Sequence, residues 1–131
     1  MRGLAIITVL LALLLMPGAV QSHSGGPEPI RSRCEVTILR GEIIDPMCYF
    51  VHDARGMSHA KCAEMCAKGG QNLAFLDDAT GNVYPLIAKG HGENPNTGLI
   101  PHLGRAVEVK LALYHKSSTS FAQIIEVKEL E

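Results

Sequence analysis

The sequence predicts a small, mainly β domain: five strands curled into an OB-like barrel, with one short helix after the first strand. Three observations carry that expectation. Short segments alternate polar and apolar residues with a period of two. Clusters of Gly, Pro, Asn and Asp separate them. One stretch alone, residues 58–68, combines a helix start signal with a stop signal. A small β-sandwich is the other architecture these strands can build.

The first strand is Cys34-Glu-Val-Thr-Ile-Leu-Arg, continued by Gly41-Glu-Ile-Ile-Asp. Gly41 inside that run suggests a bulge or a bend, and Asp45-Pro46 closes it, because the residue before proline avoids continued regular structure. Ser58 is the expected N-cap of a helix reaching about Lys68, and Gly69-Gly70 stops it. Leu73-Ala-Phe-Leu and Val83-Tyr-Pro-Leu-Ile flank Asp77-Asp-Ala-Thr-Gly-Asn as a hairpin. Pro85 places the second of them at an edge or a bulge. A long Gly/Asn/Pro loop, residues 89–98, leads to one short turn at 99–104. The clearest strand follows, with Val107, Val109, Leu111 and Leu113 alternating against Glu108, Lys110, Ala112 and Tyr114. Residues 116–119 turn it back into a partner strand at 121–127.

Composition bounds the rest. The 131 residues carry a formal net charge of −1, with no Trp, three Phe and three Tyr, so the core must be built from Val, Ile, Leu and Ala. A near-neutral chain without a basic run offers no electrostatic footprint for nucleic acid and no polybasic membrane patch. Arg2, an apolar run at residues 4–16 and the small residues after it read as a signal peptide spanning residues 1–22. The run falls short of the roughly 20 apolar residues that span a bilayer. Val20 and Ser22 fit a cut ahead of His23, although a cut after Ala19 is an alternative. Loss of that leader shifts the net charge one unit further negative. It implies a periplasmic or secreted protein with a flexible lead at 23–33, one domain at 34–131, and no membrane association after cleavage.

The chemistry gathers in Cys48-Tyr-Phe-Val-His-Asp-Ala-Arg-Gly-Met-Ser-His59-Ala-Lys-Cys62-Ala-Glu-Met-Cys66. On a helix, His59, Cys62 and Cys66 share one face, and Cys48 stands just upstream in a loop. Thiolates and a neutral imidazole are the donors of a closed tetrahedral zinc site, and soft thiolates also suit copper(I). The competing reading is a disulfide framework, since four cysteines in an oxidising compartment default to two bridges. Spacing resists part of it. A disulfide needs Cβ atoms about 3.5–4.5 Å apart, whereas residues one helical turn apart stand about 5–6 Å from each other. Cys62 and Cys66 therefore should not bridge each other, but either can reach Cys48 or Cys34. Thiol redox chemistry ranks third, for lack of a Cys-x-x-Cys pair in a βαβ setting.

Gly41-Glu-Ile-Ile-Asp-Pro-Met-Cys-Tyr followed by His59-Ala-Lys-Cys-Ala-Glu-Met-Cys-Ala-Lys-Gly-Gly resembles a group of small exported bacterial proteins of OB-like fold. Their pattern has a Gly-Glu-Val-Val-Asp-like strand end, a Cys-Tyr, then His-x-x-Cys-Ala-x-x-Cys and a Gly pair. The resemblance runs from about Val36 to Val127. It implies fold and export, marks Cys48, His59, Cys62 and Cys66 as the positions of interest, and leaves Cys34 outside the pattern. It brings no enzymatic activity with it.

Other polar residues weigh less. His52 and Asp53 are candidate extra ligands but read first as a solvated loop. His91, Glu93 and His102 have no spacing that unites them. His23, as a mature first residue, is a remote copper ligand. Ser117, Ser118 and Ser120 lack a His/Asp arrangement. The sequence thus predicts a non-enzymatic, exported binding module with zinc or copper at Cys48, His59, Cys62 and Cys66. Its partner would be a protein or small ligand of unspecified kind.

Overall fold

A computed structural model describes residues 33–131. The signal peptide and most of the flexible lead expected from the sequence lie outside these residues. In chain order the elements are β1 (Arg33–Ile44), α1 (Pro46–His52), α2 (Ala60–Lys68), β2 (Ala74–Asp77), β3 (Val83–Pro85), a 3-10 turn (Ile100–His102), β4 (Ala106–Lys116) and β5 (Thr119–Glu129). Among the described residues, no helix is long and apolar enough to cross a membrane.

The five strands form one antiparallel sheet in the order β3-β2-β1-β4-β5. It is not closed: just past β3, Leu86 makes an isolated parallel bridge to Ala122 of β5, and the Ile87 amide donates to the Ala122 carbonyl at 2.9 Å. Pro85 ends the edge strand β3, the place where its missing N–H does least harm. Register runs unbroken through Gly41, which faces Asp77 on β2 and Val107 on β4. The expected bulge is not there but on β5, where Ile125 is the extra residue opposite Lys110 and Leu111. Gly41 serves another purpose: a Cβ at this position would collide with the Leu76 carbonyl and the Phe75 ring.

The alternation of β1 also works differently from its expected half-buried pattern. Val36 and Ile38 are exposed along with the polar residues of its first half, and full burial begins only at Gly41. The first half pairs with β4 alone, because β2 joins only from Gly41 onward. Among the described residues, nothing covers Val36 and Ile38 on that ribbon. Beyond Gly41 both faces of the sheet are covered. Ile43 and Phe75 join the main core with Leu73, Val107, Val109, Leu111 and the small residues Ala63 and Ala67 of α2. Ile44, Ala74 and Leu76 form a second cluster under Tyr49 of α1. Two helices, not one, therefore flank the end of β1, and the segment expected as a loop around Cys48 is helical. Asp45 makes it so. Its Oδ1 accepts from the amides of Met47 (2.9 Å) and Cys48 (3.4 Å), and Pro46 opens the first turn, where its ring restricts φ to a helical value.

Candidate metal centre

The candidate site lies where β1, α1 and α2 converge. Cys48 is held in the first turn of α1 and is buried. That helix ends at Asp53 in a left-handed conformation (φ 52°), with the Asp53 and Ala54 amides returning to the Tyr49 and Cys48 carbonyls. Such a cap turns the chain sharply back. The link to α2 is pinned twice. The Gly56 amide donates to Glu42 Oε1 at 2.6 Å, and Gly104 packs so closely that a Cβ would stand 2.5 Å from the Gly56 carbonyl oxygen.

In α2, Ala63 and Ala67 face the main core. Their small side chains let the helix approach the sheet. Cys62 and Cys66 each precede one of these alanines, about 100° around the helix axis. They are half-buried and lie within 4.8 Å of the Cys48 sulfur and of each other. His59, not Ser58, is the N-cap residue of α2, and its side chain makes no capping bond. Its ring nitrogen instead forms a second group within 4.8 Å with Cys48 and the Asp45 carboxylate. Cys48 is thus the common corner of two overlapping triads.

Two atoms make the place a candidate cation site. Asp45 Oδ2 and His59 Nε2 are both buried and have no hydrogen-bond partner. An unpaired buried polar atom costs about 1–3 kcal/mol. Both belong to the triad with Cys48 and could serve one ion together. Electrostatics couple the same groups to one another. Burial, then the Asp45 carboxylate, push the Cys48 thiol up to about 12. Cys66 is raised by its interaction with Asp45 and by desolvation. Burial works against ionised Asp45, yet the neighbouring Cys66 and Cys48 thiols and the Cys48 and Met47 amides prevail and lower its pKa. A cation would reverse the penalty on both thiolates.

Cys48, His59, Cys62, Cys66 and Asp45 therefore lie close enough to bind a metal ion. The first four are the residues expected from the sequence. Asp45 was expected only to close the strand, and the Asp-Pro-x-Cys pattern of a capped helix start was the signal for it. Cys34 does not join them: it is exposed on β1 opposite Tyr114, ten strand residues from Ile44 and so roughly 30 Å away along the strand. All four cysteines are free thiols. With Cys34 remote, the two-bridge framework has no geometry here. His52 and Asp53 are exposed and outside both triads. His102 pairs with Glu129 at 2.9 Å, and His91 is exposed. His23 lies outside the described residues. No family model, no curated protein and no solved structure matches the chain.

Proposed function

We propose that this chain is an exported, non-enzymatic metal-binding module in which Cys48, Cys62 and Cys66 supply three thiolates and His59 a fourth donor to one zinc or copper ion. Asp45 stands by as an alternative or outer ligand. The observation that carries the reading is the coincidence of three sulfurs within 4.8 Å of one another with two orphaned buried donors on Asp45 and His59. Tetrahedral closure by sulfur and nitrogen suits zinc. An odd number of clustered thiols favours an ion over a bridge, because any disulfide among them strands the third sulfur.

The strand order, with its parallel contact between the outer strands, supports a partly open, OB-like barrel as the frame. In that frame the ion ties α1 and α2 to the end of β1, as a staple for a small core. The signal-like start supports a periplasmic or secreted address. The test is metal content and free-thiol count on one anaerobically purified sample of the mature protein. One ion per chain and no disulfide is expected. Failure to take up zinc or copper(I) by fully reduced protein rejects the reading. A Cys48–Cys62 or Cys48–Cys66 bridge in freshly isolated protein would favour a disulfide-stapled interaction module instead.

A further inference from the structure

Methionine is ordinarily a core residue, yet none of the described methionines is buried. Met47 is 45 % exposed, Met57 58 % and Met65 63 %. Met47 lies in α1, Met65 in α2 and Met57 in the link between them, and residues 67–131 contain none. Each stands beside a donor in the chain. Met47 precedes Cys48, Met65 precedes Cys66, and Met57 lies two residues before His59. The three thioethers thus lie on the solvent side of the same 47–66 segment that supplies the cluster. The result is a gradient of soft donors, from exposed thioethers, through the half-buried Cys62 and Cys66, to the buried Cys48.

We infer that the ion is copper(I), collected at the surface by the thioethers of Met47, Met57 and Met65 and handed inward to the thiolates of Cys48, Cys62 and Cys66. This rests on the metal-binding reading above and adds the identity of the ion and its route. Thioether sulfur discriminates: it is a neutral, soft donor that suits copper(I) and offers little to zinc. The transfer is ligand exchange. Copper arrives and leaves as copper(I), sulfur is neither oxidised nor reduced, and each thiol that becomes a ligand releases one proton to solvent.

The experiment compares reduced wild-type protein with Met47→Leu/Met57→Leu/Met65→Leu, in which leucine keeps the apolar volume. Copper(I) is offered as its bicinchoninate chelate and zinc as the free ion, and the methionine methyl groups are followed by NMR. The triple variant should capture copper(I) about tenfold more slowly, the scale on which groups outside the primary ligands act, while its zinc uptake is unchanged. Copper(I), and not zinc, should shift the methyl signals of the wild type. Equal copper(I) capture by the two proteins, or the same methyl shifts with both ions, overturns the copper route but leaves metal binding standing. Loss of all metal binding by reduced wild type defeats the metal reading itself, and this inference with it.

Discussion

Replacing Cys48 by serine removes the one donor common to both triads, and the structure sets the size of the effect. A structural zinc site contributes roughly 12 kcal/mol to its fold. Divided among four ligands, that is about 3 kcal/mol for one, or about a hundredfold in Kd. The metal-free protein should lose much less. Cys48 is 4 % exposed, so the lost burial of sulfur costs about 1 kcal/mol. The serine hydroxyl can meanwhile donate to the unpaired Asp45 Oδ2, which offsets part of its own desolvation. Zinc competition against a chromophoric chelator and urea denaturation with and without zinc separate the two quantities. Cys34→Ser is the control, since Cys34 is exposed and outside the cluster. Wild-type zinc affinity in Cys48→Ser, or an equal loss in Cys34→Ser, would refute the reasoning.

Other substitutions and conditions probe the frame around the site. Gly104→Ala should destabilise by about 2–4 kcal/mol, because it combines φ +72° with a Cβ 2.5 Å from the Gly56 carbonyl oxygen. Gly81→Ala, at φ +73° with nothing within 4 Å, should cost only the conformational part, and equal losses in urea denaturation would remove the steric contact from the account. Phe75→Ala should cost about 3–5 kcal/mol, since the ring is fully buried and central to the main core; a loss below about 1 kcal/mol would contradict that placement. The metal-free, reduced protein should lose stability as pH rises from the ordinary thiol pKa of about 8.5 toward the raised value of about 12 at Cys48. In that window the unfolded chain has released a proton that the native state still holds, so alkali favours unfolding. Denaturation midpoints that stay level or rise between these pH values would reverse the sign.

Strand pattern was legible wherever local signals and tertiary burial agreed. The alternation at Val107, Val109, Leu111 and Leu113 reports a strand whose inward side chains are all buried. The turn residues between β2 and β3 match a hairpin that Asp77 organises by accepting from Ala79 N and Thr80 Oγ1. The misreadings come from places where partners distant in sequence decide. Whether Val36 and Ile38 face a core depends on where β2 begins to pair, which no residue of β1 announces. The space denied to a side chain at Gly41 belongs to Leu76, far along the chain. Asn96, within the Gly/Asn/Pro loop expected at 89–98, is buried. It accepts from Leu73 N and donates to Gln71 O, tying the long loop to the segment between α2 and β2. In the site, His59, Cys62 and Cys66 fall within two consecutive turns at helical spacing, so sequence alone could single them out. Asp45 needed the capped start of α1, a seven-residue helix with too little periodicity to stand out.

The position of the cluster follows from that same short helix. Asp45 has two oxygens with different tasks: Oδ1 fixes the first turn of α1, and Oδ2 faces inward unpaired. The residue that aims Cys48 is therefore also the one whose charge weighs on it. Separating the tasks is feasible, because asparagine caps helices as well as aspartate does. Asp45→Asn should leave the metal-free fold within about 1 kcal/mol of wild type. It should also relieve the upward pressure that Asp45 exerts on Cys48 and Cys66, so the reduced, metal-free thiols should react with a thiol-specific reagent at lower pH. Unchanged thiol reactivity in a protein of unchanged stability would mean that the carboxylate acts on α1 alone and has no part in the cluster.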